Sequence, residues 1–228
     1  MDILEKLFEL QDLKYKDFNQ KLILNIDKDK IIGIKVPVLR KFAKDFYKNN
    51  LEKANSFMNE LPHFYMEENN LHLFFIENIK DFKTCMEYTQ KILPYIDNWQ
   101  SCDIFLPKIF KNHKSEVYEK ILLWINSKDI YTVRFSIKLL MTNYMDKDFK
   151  YENLEIVSKI KSDNYYINMA RAWYFQNALY KKYNYAIKFI ENRKLDTFTH
   201  NKAIQKSIES KVISMEKKNY LKSLKIKV

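Results

Sequence analysis

The chain has 228 residues, enough to bury a substantial core, and its hydrophobic content of 46% is ordinary for a globular protein, which argues against disorder. It contains one glycine, Gly33, and four prolines. This composition excludes sheet proteins with many glycine turns and the glycine-rich phosphate loops of Rossmann and P-loop proteins. The net charge of +11 leaves a polyanion as a possible partner.

Apolar residues recur at three- and four-residue spacing along most of the chain, which is typical of amphipathic helices. The pattern predicts a short helix at 1–10, a second at 11–25, and then a loop around Gly33 from which Pro37 opens the next helix. Further helices are predicted at 37–48, 51–60, 64–79, 81–93, 98–111, 114–126, 129–144, 150–161, 164–182, 184–192, 197–213 and 216–225.

The short polar connections between these helices predict antiparallel pairs stacked side by side. We therefore expect an all-α fold, an α-α superhelix or HEAT-like repeat solenoid with a concave basic groove, built as a single domain over 1–228. No clean sequence period is present, so the repeats would be degenerate. A compact helical bundle is the alternative.

The positive charge is concentrated near the C-terminus. Residues 171–228 hold 14 basic and four acidic residues, whereas residues 1–170 are nearly balanced. A surface that binds a polyanion requires such a concentration. The alternative is a solvated, lysine-rich helical tail.

Cysteine and histidine spacings give no sign of a metal site. Cys85 and Cys102 form no CxxC pair, and the four histidines lack metal-ligand spacing. The N-terminus carries acidic residues and no secretory pattern, and no window approaches 18 uninterrupted apolar residues. We therefore expect a cytoplasmic monomer with no membrane partner, no metal and no cofactor, in which Cys102 is a small buried hydrophobe.

The densest group of chemically interesting residues surrounds one predicted helix start. Asp97 or Asn98 is a good N-cap, and Asp97 has capping-box spacing to Gln100. Trp99 then lies in the first turn, and Asp103 shares its helix face four residues later. The indole of Trp99 would provide a flat surface for stacking beside the negative charge of Asp103. The alternative is a core tryptophan and a carboxylate at a helix end or in an ion pair.

Two later positions add to this pair. Arg134 lies within an apolar helix, which suggests a bidentate partner, either a carboxylate such as Asp103 or a phosphate. Trp173 follows Ala170 and Ala172, whose small side chains leave room for a groove beside the indole. A tryptophan in the core between helices is the alternative for Trp173.

In this order, these residues resemble the AlkD-type DNA alkylation repair family, and the resemblance runs from about residue 11 to 225. The matching features are Trp99-x3-Asp103, Arg134, Tyr165-Tyr166-x3-Ala170 followed by Trp173, the loop Gly33-Ile34-Lys35-Val36-Pro37 with Arg40, and the segment Asn201-Lys202-Ala203-Ile204-Gln205-Lys206-Ser207.

The resemblance implies helical pairs curved around a DNA duplex and hydrolysis of the N-glycosidic bond of N3- and N7-alkylated purines. It implies that Trp99 and Trp173 flank the deoxyribose of the lesion, that Asp103 lies near its C1′ carbon, and that Arg134 holds a nearby phosphate. The expected partner is double-stranded DNA carrying alkylated bases. From the charge pattern, we also expect three lysines on the last helices to contact phosphates: Lys202, Lys206 and Lys211.

Two other functions stay open at this point. Residues 1–30 depart from the better-known members of the family, which use their N-terminal helices to grip the strand near the lesion. A DNA-binding member of the superfamily without glycosylase activity is therefore the first alternative. A helical-repeat scaffold for protein partners is the second.

Overall fold

A computed structural model describes residues 2–227 of the chain, which divides into two compact units, Met1–Lys114 and Ser115–Val228. The secondary structure of the described residues consists of α-helices and short 3-10 helices, with no β-strand among them. The predicted all-α class is therefore confirmed. The single domain and the concave basic groove remain predictions.

The first unit is built around one almost fully buried helix. This helix, α5, packs against α1, α3, α4, α6 and α7, and most of its thirteen residues are buried. Short 3-10 helices occupy Lys28–Lys30, Leu93–Tyr95 and Lys108–Lys111. The helices of this unit are α1 (Ile3–Glu9), α2 (Leu13–Asn19), α3 (Val36–Asn49), α4 (Leu51–Asn59), α5 (Met66–Asn78), α6 (Phe82–Ile92) and α7 (Trp99–Ile104).

The second unit has two layers of helices. Its helices are α8, which begins at the boundary (Lys114–Trp124), α9 (Ile130–Asn143), α10 (Tyr151–Lys159), α11 (Tyr165–Lys181), α12 (Tyr183–Glu191), α13 (Thr197–Glu209) and α14 (Met215–Ser223). In one layer, α11 lies between α9 and α13, while α10 and α12 pack together and against α11. This alternation within the unit is the arrangement expected for α-α superhelical repeats. Within residues 2–227, every helix is too short or too polar to span a lipid bilayer.

Aromatic contacts bring the starts of α9, α11 and α13 to the same edge of the second unit. The ring of Tyr131 lies 5.7 Å from that of Tyr166, and the ring of Tyr165 lies 5.9 Å from that of Phe198. All four residues are in the first turn of their helices. The three neighbouring helices therefore run in the same direction.

Two predicted helices in the first unit end earlier than expected, one because of tertiary packing and the other because of a proline. The helix predicted at 11–25 ends at Asn19, after which the chain turns so that Ile23 and Ile26 enter an apolar cluster. The helix predicted at 98–111 ends at Ile104, because Pro107 has no N–H to donate and disfavours helix before it. The helix predicted at 197–213 also ends early, at Glu209, where Ser210 is extended.

A buried carboxylate holds the loop around Gly33. Glu67 of α5 is 0% exposed, and its oxygens accept the backbone N–H groups of Ile32 at 2.8 Å, Gly33 at 2.7 Å and Ile34 at 3.2 Å. Burial raises the pKa of Glu67, and these donors oppose that rise. Gly33 has φ of +94°, and a Cβ there would meet the Cα of Lys16 at 2.8 Å. Glycine is therefore required where this loop passes α2.

Two histidines of the first unit, the half-buried His63 and the fully buried His72, form a pair. The Nε2 atom of His63 lies 2.9 Å from the Nδ1 atom of His72, and the ring of His63 stacks on Phe57. Burial lowers the pKa of His63 to about 4, and burial together with His63 lowers the pKa of His72 to about 3. The other nitrogen of His72 is buried and has no hydrogen-bond partner within the described part of the chain. Protonation of His72 would thus place a charge where nothing solvates it.

The histidine pair predicts loss of stability in mild acid. Because the folded-state pKa of His72 lies below its ordinary value of 6.5, the unfolded chain takes up the proton first. The stabilising effect of its neutral form is complete above pH 6.5 and is lost as the pH falls towards the folded-state pKa. We expect His72 to account for about 2 kcal/mol between pH 7 and pH 5 in urea unfolding. His72→Gln should remove this part of the pH dependence and His113→Gln should keep it; an unchanged slope in His72→Gln would contradict the prediction.

Candidate active site

The short helix α7 begins with a buried asparagine cap. The side-chain oxygen of Asn98 accepts the backbone N–H of Ser101 at 2.8 Å, and its amide donates to the Ser101 hydroxyl at 2.7 Å. Asn98, one of the two residues predicted as the cap, is therefore the N-cap. The predicted capping box of Asp97 with Gln100 is wrong, because the side chain of Gln100 bonds to Asn19 instead.

Trp99 is the first residue of α7 and is half-buried. It packs against an apolar cluster formed by Ile23, Ile26, Ile31 and Met66. Its indole Nε1–H donates to the backbone carbonyl of Leu22 at 3.3 Å. The indole is thus anchored along part of its surface, and the rest of the side chain stays accessible.

Asp103 lies in the last turn of α7 and is half-buried. It follows Trp99 by four positions, so both side chains project from the same face of this helix. Cys102 beside it is fully buried, as predicted, and is not part of a disulfide. A negative charge and an aromatic surface therefore share one face of α7.

The segment between Asn19 and Asn25 fixes the start of α7, a role that the sequence analysis did not predict. The buried side chain of Asn19 donates to the side-chain oxygen of Gln100 at 3.0 Å, and the side chain of Asn25 donates to the carbonyl of Asp97. Together with the bond from Trp99 to the Leu22 carbonyl, these contacts join residues 19–25 to residues 97–100. The available sequence signal was a pair of asparagines at the ends of an apolar run, which also reads as an ordinary turn.

Arg134 occupies the second turn of α9 and is 7% exposed. Its Nη1 donates to the backbone carbonyl of Tyr166, in the first turn of α11, at 2.8 Å. The sequence predicted a carboxylate or phosphate partner, and spacing alone could not have revealed this main-chain acceptor. The bond fixes the start of α11 against α9.

Trp173 is half-buried on α11. It lies seven residues after Tyr166, on the same helix face. Ala170 and Ala172 beside it are both buried, so they pack in the interior of the unit. Their small size lets neighbouring helices approach α11 closely.

The three predicted phosphate-binding lysines differ in position. Lys202 and Lys206 are half-buried and one turn apart on α13, and the Lys202 ammonium group lies 6.0 Å from the ring centroid of Phe198. Lys211 is exposed but lies in the turn after α13. Its predicted place on a helix is therefore wrong.

One basic residue of the C-terminal region is buried and bonds to interior groups instead of lying on the surface. Arg171 is 2% exposed and donates to Asp196 at 2.6 Å and to Thr199 at 3.3 Å. It also donates to the carbonyls of Val157 and Ser158. Arg171 therefore joins α10, α11 and the start of α13, and its charge is unavailable to a polyanion.

Within the first unit, the structure brings together Trp99 and Asp103 on α7. Within the second, Arg134, Trp173, Lys202 and Lys206 belong to the neighbouring helices α9, α11 and α13. These are the residues predicted to act on or hold DNA.

Residues 3–207 match the family model described as DNA alkylation repair enzyme. The chain belongs to this family. The match includes α7, α9 and α11 and ends within α13, so Lys211 and α14 lie beyond it. No curated protein matches the sequence. As a DNA alkylation repair enzyme, the chain has a role in the repair of alkylated DNA, with DNA as its partner.

Proposed function

We propose that this DNA alkylation repair enzyme is a glycosylase that hydrolyses the N-glycosidic bond of N3- and N7-alkylated purines in duplex DNA. The observation that carries the proposal is the pairing of Trp99 with Asp103 on one face of α7. Family membership over residues 3–207 supports it.

The chemistry of the lesion makes this pair sufficient for much of the catalysis. Alkylation at N7 or N3 gives the purine a positive charge, so the base leaves without an acid to protonate it. As the bond breaks, positive charge develops on the deoxyribose, as in glycoside hydrolysis. A carboxylate at Asp103 stabilises that charge and orients the attacking water. The indole of Trp99 adds cation–π attraction of about 0.5–2 kcal/mol.

The bonds that anchor Trp99 support a preorganised site. Its indole N–H bonds to the Leu22 carbonyl, and its neighbour Gln100 bonds to the buried Asn19. A side chain fixed before substrate binds loses little conformational entropy on binding. In this proposal, the lysines of α13 hold the DNA backbone, whereas Arg134, buried and bonded to the Tyr166 carbonyl, positions the start of α11.

Base release is the direct test. The chain is incubated with duplex DNA containing N7-methylguanine, and free base is measured by chromatography against an unmethylated duplex. We expect time-dependent release from the methylated duplex only. Binding of both duplexes without release of base would contradict the glycosylase proposal.

A DNA-binding member without glycosylase activity is the second candidate. It is favoured by the packing of Trp99 on the apolar cluster of the first unit, which is also what a purely structural tryptophan would do. This candidate predicts salt-dependent duplex binding with no base release from any methylated substrate.

A further inference from the structure

A cavity of about 550 Å³ lies between α13 and the C-terminal segment 224–227. It is lined by Thr197, Phe198, Asn201, Lys202, Gln205 and Lys225. These lining side chains include two ammonium groups, three polar groups and one aromatic ring, and no carboxylate. Such a lining suits an anionic ligand that also has apolar surface.

The C-terminal segment is held in place by the side chains of α13. The amide of Asn201 donates to the carbonyl of Ile226 at 2.8 Å and accepts the N–H of Ile226 at 2.9 Å. The ring Nε2 of His200 lies 2.9 Å from the carbonyl of Leu224. Contacts on both sides of Lys225 therefore fix its backbone against the helix.

This anchoring positions the ammonium group of Lys225 at the cavity. Its Nζ donates to the side-chain oxygen of Gln205 at 2.7 Å. On the same helix, Lys202 lies over the ring of Phe198. Two positive charges thus lie beside one cavity with neutral groups as their direct contacts, and the carboxylate of Glu209 accepts from Gln205 rather than from either lysine.

The aromatic wall of the cavity remains accessible. Phe198 is 40% exposed, and its ring packs edge-on against Tyr165, which is 55% exposed. Exposed aromatic rings beside lysines are common in nucleic-acid interfaces, where the ring packs on a sugar or base and the ammonium groups meet phosphates.

We propose that Phe198, Lys202 and Lys225 form a subsite for one phosphodiester of the DNA backbone and its adjoining deoxyribose, here named the C-terminal phosphate subsite. The two lysines bind the phosphate and the phenyl ring packs on the sugar. The inference rests on the DNA binding contained in the proposed function. It goes beyond the family match, which ends at residue 207 and does not reach Lys225. The local charge agrees with it, because residues 215–227 hold five lysines and one glutamate.

Salt-dependent binding tests the subsite. Affinity of the full chain for a short unmethylated duplex is measured by fluorescence anisotropy over a series of salt concentrations. Lys225→Ala should weaken binding about 5- to 10-fold at 0.1 M salt and reduce the slope of log affinity against log salt by about one. Phe198→Ala should weaken binding and leave the slope unchanged, because the ring carries no charge.

Lys222→Ala is the matched control. Lys222 is exposed in the last turn of α14, three residues from Lys225, and does not line the cavity. It removes the same charge, so equal effects of the two substitutions would show that only net charge matters and would overturn the subsite. Absence of duplex binding by the unmodified chain would overturn it as well.

A double-substitution cycle tests the role of the anchored segment. Asn201→Ala should release residues 224–227 and weaken binding as much as Lys225→Ala, and the double variant should show little further loss. Additive losses would overturn the role of the anchor. If Asn201→Ala fails to fold, as judged by circular dichroism, Ile226→Pro makes the same comparison, because it removes the N–H that Asn201 accepts and keeps Lys225.

The subsite and the glycosylase proposal can fail separately. A Lys225-specific loss of affinity in a chain that releases no base leaves the subsite standing and removes the glycosylase. Base release together with equal effects of Lys225→Ala and Lys222→Ala leaves the glycosylase proposal standing and removes the subsite.

Discussion

Asp103→Asn should lower the rate of base release by roughly 10²- to 10³-fold while leaving duplex affinity nearly unchanged. The amide has the same shape as the carboxylate but carries no negative charge to oppose the charge that develops on the deoxyribose. The measurement is single-turnover release of N7-methylguanine, with affinity measured separately by anisotropy.

Asp45→Asn provides the control for this substitution. Asp45 is exposed on α3, and its replacement removes the same charge from a different helix of the first unit. We expect it to release base at the rate of the unmodified chain. Full activity of Asp103→Asn would remove Asp103 from the mechanism even if the chain proves to be a glycosylase.

Replacement of Glu67 should cause the largest loss of stability among single substitutions in the Gly33 loop and its contacts. Glu67→Leu leaves three buried N–H groups of residues 32–34 without their acceptor and should cost about 3–5 kcal/mol in the free energy of unfolding. Glu67→Gln keeps one oxygen and should cost about 2–3 kcal/mol. Urea unfolding followed by tryptophan fluorescence and circular dichroism measures both.

Glu87 supplies matched controls because it is exposed on α6. Glu87→Gln and Glu87→Leu should each change stability by less than about 0.5 kcal/mol. If Glu67→Gln were as harmless as Glu87→Gln, the three amide bonds would contribute little to the fold. A larger loss for Gln than for Leu would show that burial of a polar group, rather than loss of the acceptor, dominates at this position.

Most of the fold could be predicted because local signals and tertiary packing agree. Apolar periodicity located the long helices α9 and α11 to within one residue at each end. It failed for residues 20–25, where Ile23 and Ile26 keep helical spacing but are buried by a turn that packs on Met66. Periodicity reports which residues are buried, and a turn can bury the same residues as a helix.

Part of the candidate site could be predicted, and part could not. The spacing of Trp99 and Asp103 was enough to put them on one face of a helix, because both belong to the same element. The bond from Arg134 to a main-chain carbonyl and the anchoring of Lys225 by Asn201 join residues far apart in the chain. Every residue has a backbone carbonyl, so residue types alone cannot predict which carbonyl accepts such a bond.

The bond between Trp99 and residue 22 has a consequence for how this protein tolerates mutation. The indole donates to a backbone oxygen, which every amino acid supplies, so the side chain at position 22 is free to vary without loss of that bond. Leu22 is 46% exposed, which adds to this freedom. Asn19 and Asn25 donate from their side chains, so most substitutions at these two positions would remove the bond. Position 22 can therefore change its side chain while Trp99 keeps its place, whereas Asn19, Asn25 and the buried Ile23 and Ile26 cannot.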